Sequence, residues 1–186
     1  MANEVILPRQ IRGSVVLGDI ARIPADAIVT AINSGGMWFG GIDGVIQRNA
    51  GDQFHAQAQA EMPLSDGRVI IARGNGSGNR AQFKNVVFVV DDLRLPLREV
   101  IFRGLKAADE AGFRVVSLPA IRMGVMLGVV EKSVQEAGNE TISGIRQFLA
   151  SNPQHIEELH FVVYNDQDTQ RVLDSGVRGL LPPAQA

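Results

Sequence analysis

The strongest constraint on this 186-residue chain is a repeated exchange between short, nearly all-apolar runs and longer segments of helical spacing. Ser14–Leu17, Ala27–Ile32, Arg68–Arg73, Asn85–Val90, Phe113–Leu118 and Glu158–Val163 read as strands, rich in Val and Ile. Runs such as Ala27–Ile32 lack the polar alternation of a half-exposed sheet, so they suit strands covered on both faces, as in parallel sheets. Asp43–Ala50, Leu97–Ala111, Glu131–Ala150 and Gln167–Leu173 read as helices, with Gly112 placed to cap the second. Strand and helix in alternation predict an α/β fold: three layers, α/β/α, around a mixed, mostly parallel and twisted sheet.

No linker, repeat or low-complexity insert interrupts that pattern, which predicts one domain over 1–186 with a core from about residue 12 to residue 175. The tail over 177–186, with Pro182 and Pro183, is expected to fray. A hydrophobic fraction of 45% against 20% charged residues excludes a disordered chain. The net charge of −2 offers no basic face to a nucleic-acid backbone, so nucleic acid is not the expected partner. With no cysteine, thiol catalysis, disulfide scaffolds and Cys-based metal sites are out of reach. His55, His155 and His160 show no ligand spacing, so neither a metal nor a cofactor is expected. No run approaches the ~18 apolar residues a membrane span needs, and the start of the chain has no leader-like pattern. The expectation is a cytoplasmic protein with no membrane partner.

Two glycine-containing loops follow predicted strands. The first, Asn33–Gly41, leads into the helix at Asp43, and the second runs from Arg122 to Gly128 after the strand that ends at Leu118. In open α/β sheets ligands bind at the carboxyl ends of strands, so both loops are expected to line one pocket. Glycines there admit positive φ and close backbone approach, and the helix start adds amides and a favourable dipole for an anion. The spacing is neither GxxxxGK[ST] nor GxGxxG, which argues against a Walker site and a dinucleotide fingerprint. The residues alone leave a phosphate cradle and a merely steric turn both open.

The Gly18-Asp19-Ile20 step, DAIVTAIN over 26–33 and GGIDGVIQRNAG over 40–51 together resemble the opening of macro domains, which carry a GDI step, DAIVNAAN and GGVDGAIHRAAG. The resemblance continues through 66–74, similar to the family's third strand, and through Ser117–Ile121 with Gly124 and Val125, similar to its second phosphate loop. It spans about Val15 to Val172. It implies a pocket for ADP-ribose. Asp19 and the Ile20 backbone would hold adenine, with Tyr164 beside the base. Gly40, Gly41 and Ile42 on one side, and Ile121, Arg122, Met123, Gly124, Val125 and Met126 on the other, would wrap the diphosphate. Asn33 and Asp43 match the polar pair near the distal ribose in the hydrolytic branch, where Asn33 would orient the sugar and Asp43 would activate water. The implied activity is hydrolysis of mono-ADP-ribose from modified proteins, or of ADP-ribose esters such as O-acetyl-ADP-ribose. The alternative is a non-catalytic reader of ADP-ribose or ADP-ribosylated protein.

Departures from the family pattern bear on that choice. Thr30 stands at the usual first asparagine, Phe39 at a glycine, Gln47 at a histidine, and Arg122 and Met123 at a Gly-Thr pair. Met126 replaces an aromatic residue that closes over the distal ribose. Arg122 either bonds the diphosphate or projects into solvent. Trp38 is expected as a local hydrophobic anchor rather than a cover over the ligand, and Asp91-Asp92 as a solvated turn. Residues alone leave the linkage, the pathway and the oligomeric state open.

Overall fold

The computed structural model describes residues 4–124 and 126–181. In chain order the strands are β1 (Val5–Ile6), β2 (Arg12–Leu17), β3 (Ala25–Ile32), β4 (Val69–Arg73), β5 (Phe83–Val90), β6 (Val115–Pro119) and β7 (Glu158–Val163). The helices are α1 (Gly41–Ala50), α2 (His55–Ala60), α3 (Leu97–Glu110), α4 (Val134–Ala150) and α5 (Gln167–Arg178). The strands form one seven-stranded sheet in the order β1-β2-β7-β6-β3-β5-β4. β2, β7, β6, β3 and β5 run parallel, and β1 and β4 close the two edges antiparallel. This is the mixed, mostly parallel sheet expected.

Side-chain alternation on the central strands builds two cores. Ala27 and Val29 of β3, Val87 and Val89 of β5 and Phe161 of β7 turn to one face, against Ile101 and Leu105 of α3 and Ile145 and Phe148 of α4. Ile28 and Ile32, with Phe88 and Val90, turn to the other, against Ile46 of α1, Phe54 and Trp38. A strand with both faces buried has no reason to alternate in polarity, which is why these runs are apolar throughout. Helix approach depends on missing side chains: a Cβ on Gly144 of α4 would lie 2.6 Å from the Arg98 carbonyl oxygen and 2.8 Å from Ile101 Cβ of α3.

Several boundaries differ from expectation. α4 starts at Val134, because Ser133 caps it by accepting from Glu136 N–H; Glu131, expected inside the helix, lies in the preceding loop. α5 extends through Arg178, where a frayed tail from 177 is expected. Val177 and Leu180 are buried in the first core, and that burial holds the segment down. Pro182 and Pro183 lie outside the described residues. The six residues of α2, HAQAQA, carry too little apolar periodicity to signal a helix in sequence. Among the described residues no helix is long and apolar enough to cross a membrane.

Candidate functional site

Four neighbouring strands, β2, β7, β6 and β3, end on the same side of the sheet, and the segments leaving them enclose a cleft of about 610 Å³. Gly18, Asp19 and Ile20 come from β2, Pro119, Ala120, Met123 and Gly124 from β6, and Tyr164, Asn165 and Asp166 from β7. The first turns of α1 contribute Gly41, Ile42, Val45 and Arg48. A cleft of this size takes a ligand of several rings and groups.

At one end Asp19 caps a short 3-10 turn, its Oδ1 accepting from Ala21 N–H at 2.9 Å. Capping uses one oxygen and leaves Oδ2 toward an exposed Arg22 at 4.0 Å, so capping and ligand recognition are compatible in one carboxylate. Along the middle, Gly40 is the N-cap of α1 and brings no side chain, and Gly41 has φ +56° with open space where a Cβ would stand. The first amides of a helix have no intrahelical partner and sit at its positive end, so the Gly41–Ile42 backbone can receive an anion. Tyr164, 75% exposed, stands at the rim with its ring free.

Asp19, Ile20, Gly41, Ile42, Met123, Gly124 and Tyr164 thus meet in one cleft. Gly40, Asn33, Asp43, Ile121, Arg122 and Met126 do not line it, and Val125 lies outside the described residues. Asn33 organises its own loop: Oδ1 accepts from Gly35 N–H at 2.9 Å, Nδ2 donates to the Met37 carbonyl, and its carbonyl accepts from Trp38 Nε1 at 2.9 Å. Trp38 is buried in the second core, and Gln47 Nε2 donates to its carbonyl at 3.0 Å, so the tryptophan is the anchor of the loop. Asp43 sits one residue past the cleft wall, its side chain 18% exposed, with Oδ1 2.8 Å from Nε2 of the buried His55. Ile121 is buried in the first core and Met126 is 39% exposed.

Arg122 requires a correction. It neither faces the cleft nor projects into solvent, but is 5% exposed and enclosed by acids. Its Nε and Nη2 form a fork with Asp91 at 3.0 and 2.6 Å, Nη1 donates to Glu131 Oε1 at 3.0 Å, and Nη2 also reaches the Leu95 carbonyl at 2.8 Å. Burial works against the charged guanidinium, but the hydrogen bonds and charges of Asp91 and Glu131 outweigh it, and its pKa is raised above the ordinary value. The Asp91-Asp92 step is therefore no solvated turn. Asp91 holds the second loop through Arg122, while Asp92 Oδ1 accepts from Ser34 N–H of the first loop at 2.9 Å. Two consecutive carboxylates after β5 tie down the loop that leaves β3 and the loop that leaves β6.

Several lining residues escaped the sequence reading. Val45 and Arg48 fall four and seven residues after Gly41, on the same helix face, a spacing that the glycine motif alone could have supplied. Asn165, Asp166 and Thr169 follow β7, where the rule of carboxyl-end loops applies as well as after β3 and β6. The Thr169 hydroxyl is buried in that wall without a hydrogen-bond partner.

The architecture agrees with known proteins. A protein of Oceanobacillus iheyensis, solved as a macrodomain with ADP, superposes with a TM-score of 0.76 at 22% identity, covering 97% of this chain and 96% of that one. The Trypanosoma brucei macrodomain in complex with ADP-ribose superposes with a TM-score of 0.73 at 20% identity, over 88% of this chain and 68% of that one. In sequence, a protein of an Enterobacter species named O-acetyl-ADP-ribose deacetylase is 30% identical over 181 residues, 91% of this chain and 97% of its own length. The profile of the family described as Macro domain matches residues 29–137, more than half of the chain and the stretch from β3 into α4. By that match and that identity, the chain belongs to the macro domain family.

Proposed function

We propose that the chain binds ADP-ribose in this cleft and hydrolyses ADP-ribose esters, among them the carboxylate-linked mono-ADP-ribose of modified proteins. The observation that carries the reading is the spacing of recognition groups along one cleft: a carboxylate with a free oxygen at one end and the side-chain-free start of α1 in the middle. Adenine's amino group donates to Asp19 Oδ2 while the Tyr164 ring flanks the base, and the diphosphate takes the amides of Gly41, Ile42 and Gly124. The distal ribose then extends past Ile42 toward Asp43.

There Asp43 accepts a proton from water through Oδ2, which has no partner among the described residues. In an O-acyl ester the resulting hydroxide adds to the acyl carbon and the ester C–O bond breaks. The electron pair leaves on the ribose oxygen, which takes up a proton. In a carboxylate-linked protein, water adds at the anomeric carbon and the pair leaves with the side-chain carboxylate. Either way one water is consumed, ADP-ribose and a carboxylate form, and one proton is released to solvent. The Enterobacter relative, by its name a deacetylase of O-acetyl-ADP-ribose, supports the first of these.

Calorimetry with ADP-ribose, together with release of ADP-ribose from a glutamate-modified protein and from O-acetyl-ADP-ribose, tests the reading. Asp43→Ala is expected to abolish release with less than about a threefold change in affinity, since Asp43 is outside the cleft wall. The placement of Asn33, whose side-chain groups are spent within its own loop, favours a second reading as a reader. Binding by the unaltered protein without release of either product would establish that one.

A further inference from the structure

The family pattern has a histidine at the position of Gln47, and here the imidazole that reaches Asp43 comes from elsewhere in the chain. His55 opens α2 and is 2% exposed. Its ring is packed between Trp38, at 5.5 Å between centroids, and Phe88, at 5.0 Å. Nε2 lies 2.8 Å from Asp43 Oδ1, and because an ionised carboxylate only accepts, Nε2 carries the proton and donates. Nδ1 is buried with no partner. As core filling this is a poor choice: an apolar residue would pack against the same two rings without leaving a ring nitrogen unsatisfied. What the imidazole adds over a leucine is one directed hydrogen bond, and that bond goes to the carboxylate assigned above to water activation. A smaller pocket of about 230 Å³, bounded by Trp38, Phe39, Gln47 and His55, opens beside the imidazole.

We propose that His55 is the positioning residue for Asp43: its Nε2–H holds Oδ1, fixing the carboxylate rotamer so that Oδ2 remains the oxygen that takes the proton from water. The inference rests on the hydrolytic reading. An unpinned aspartate has two soft side-chain torsions, and displacement of a reacting group by about 1 Å costs on the order of a hundredfold in rate. The effect falls on kcat, because Asp43 and His55 both lie outside the wall that holds ADP-ribose.

The test compares His55→Leu and His55→Gln in the full chain for kcat and KM on O-acetyl-ADP-ribose, ADP-ribose affinity by calorimetry, and Tm. Leucine packs well and donates nothing; glutamine packs worse but presents an N–H at a similar reach. Positioning predicts crossed orders: Leu at 55 is the more stable variant yet loses about a hundredfold in kcat, Gln is less stable yet stays within about tenfold of the unaltered protein, and affinity moves less than about threefold in both. A purely structural histidine predicts that kcat follows Tm, with Leu the better enzyme, and that result overturns the proposal. Should neither variant fold, nitrogen-15 NMR of the histidines decides: the proton must sit on His55 Nε2 and shift in Asp43→Asn, and a proton on Nδ1 or an unmoved signal refutes the pairing. Loss of release in Asp43→Ala with release kept within threefold in His55→Leu overturns this inference alone. Absence of release by the unaltered protein overturns the hydrolytic reading and this inference with it.

Discussion

Replacing Arg122 by methionine separates two roles that a sequence leaves open for an arginine next to a phosphate loop. Its side chain is 2% exposed, those of Asp91 and Glu131 are each 4% exposed, and one guanidinium serves both carboxylates. Methionine fills a similar volume and keeps the residue's strained φ of +61°, so the change removes the charge and its hydrogen bonds without relaxing the backbone. Asp91 loses a two-bond partner, Glu131 loses its partner on Oε1 while Oε2 already has none, and the Leu95 carbonyl loses a donor. Removing one member of a buried ion pair costs ~3–5 kcal/mol, because the partner charge is left in a medium that solvates it poorly. For a chain of this length each kcal/mol moves Tm by about 2–4 °C, so Arg122→Met is expected to melt about 6–20 °C lower. Denaturant and thermal unfolding measure this, with calorimetry on the folded fraction showing ADP-ribose affinity within about threefold. A triple replacement of Arg122, Asp91 and Glu131 by apolar residues of matching volume is expected to recover most of the loss. A stability change under ~1 kcal/mol with a sharp fall in affinity would refute the buried-triad account and return Arg122 to the ligand.

Asp19→Asn keeps an oxygen to cap Ala21 N–H but removes the charge, so stability is expected to stay within ~0.5 kcal/mol while ADP-ribose binds about tenfold or more weakly by calorimetry. Asp109 is buried, which on its own raises a carboxyl pKa, but the N–H groups of Gln154, Ile156 and His155 and the charge of His155 overcome that and lower it below 3.8. Stability from a lowered carboxylate is fully present above the ordinary value and drains away as pH falls through the folded one. Acid unfolding should therefore steepen below about pH 3.8, and Asp109→Asn should flatten that limb while lowering stability near neutrality. Gly144→Ala forces a methyl against the Arg98 carbonyl and Ile101, and overpacking of this kind costs ~1–3 kcal/mol in denaturant unfolding; an unchanged midpoint would mean that α3 and α4 can part freely.

What could be read from the chain in advance was whatever depends on neighbours in sequence. β3 and β5 were legible because burial on both faces leaves an uninterrupted apolar run, and α3 because 14 residues show several repeats of its buried stripe. β1, at two residues, and α2, at six, are too short for any period to emerge; packing against β2 and β4 makes them, and packing is invisible before the fold exists. In the cleft, Asp19, Gly41 and Ile42 belong to contiguous motifs and are legible in the sequence. Arg48 and Thr169 were not, although strand-end topology points to both stretches.

Charged residues divide differently, because a carboxylate reads the same whether it faces water or a buried guanidinium. Asp91 and Arg122 are separated by 31 residues and Asp43 and His55 by 12, and in both cases only the sheet order and the return of the chain bring them together. Asp91 and Asp92 follow β5, which lies beside β3, so their carboxylates arrive behind the loop that leaves β3 and the loop that leaves β6. One holds Ser34 N–H and the other Arg122, which gives two glycine-containing segments a common attachment to the rigid sheet. Glycine supplies close approach at the cost of backbone entropy, and a loop that must present amides to an anion gains from having that entropy removed before the ligand arrives. The substitution of Arg for a small residue at 122 is then no loss of a phosphate contact. The arginine's charge is spent on Asp91 and Glu131 of the scaffold, so that in the proposed binding mode backbone amides meet the diphosphate.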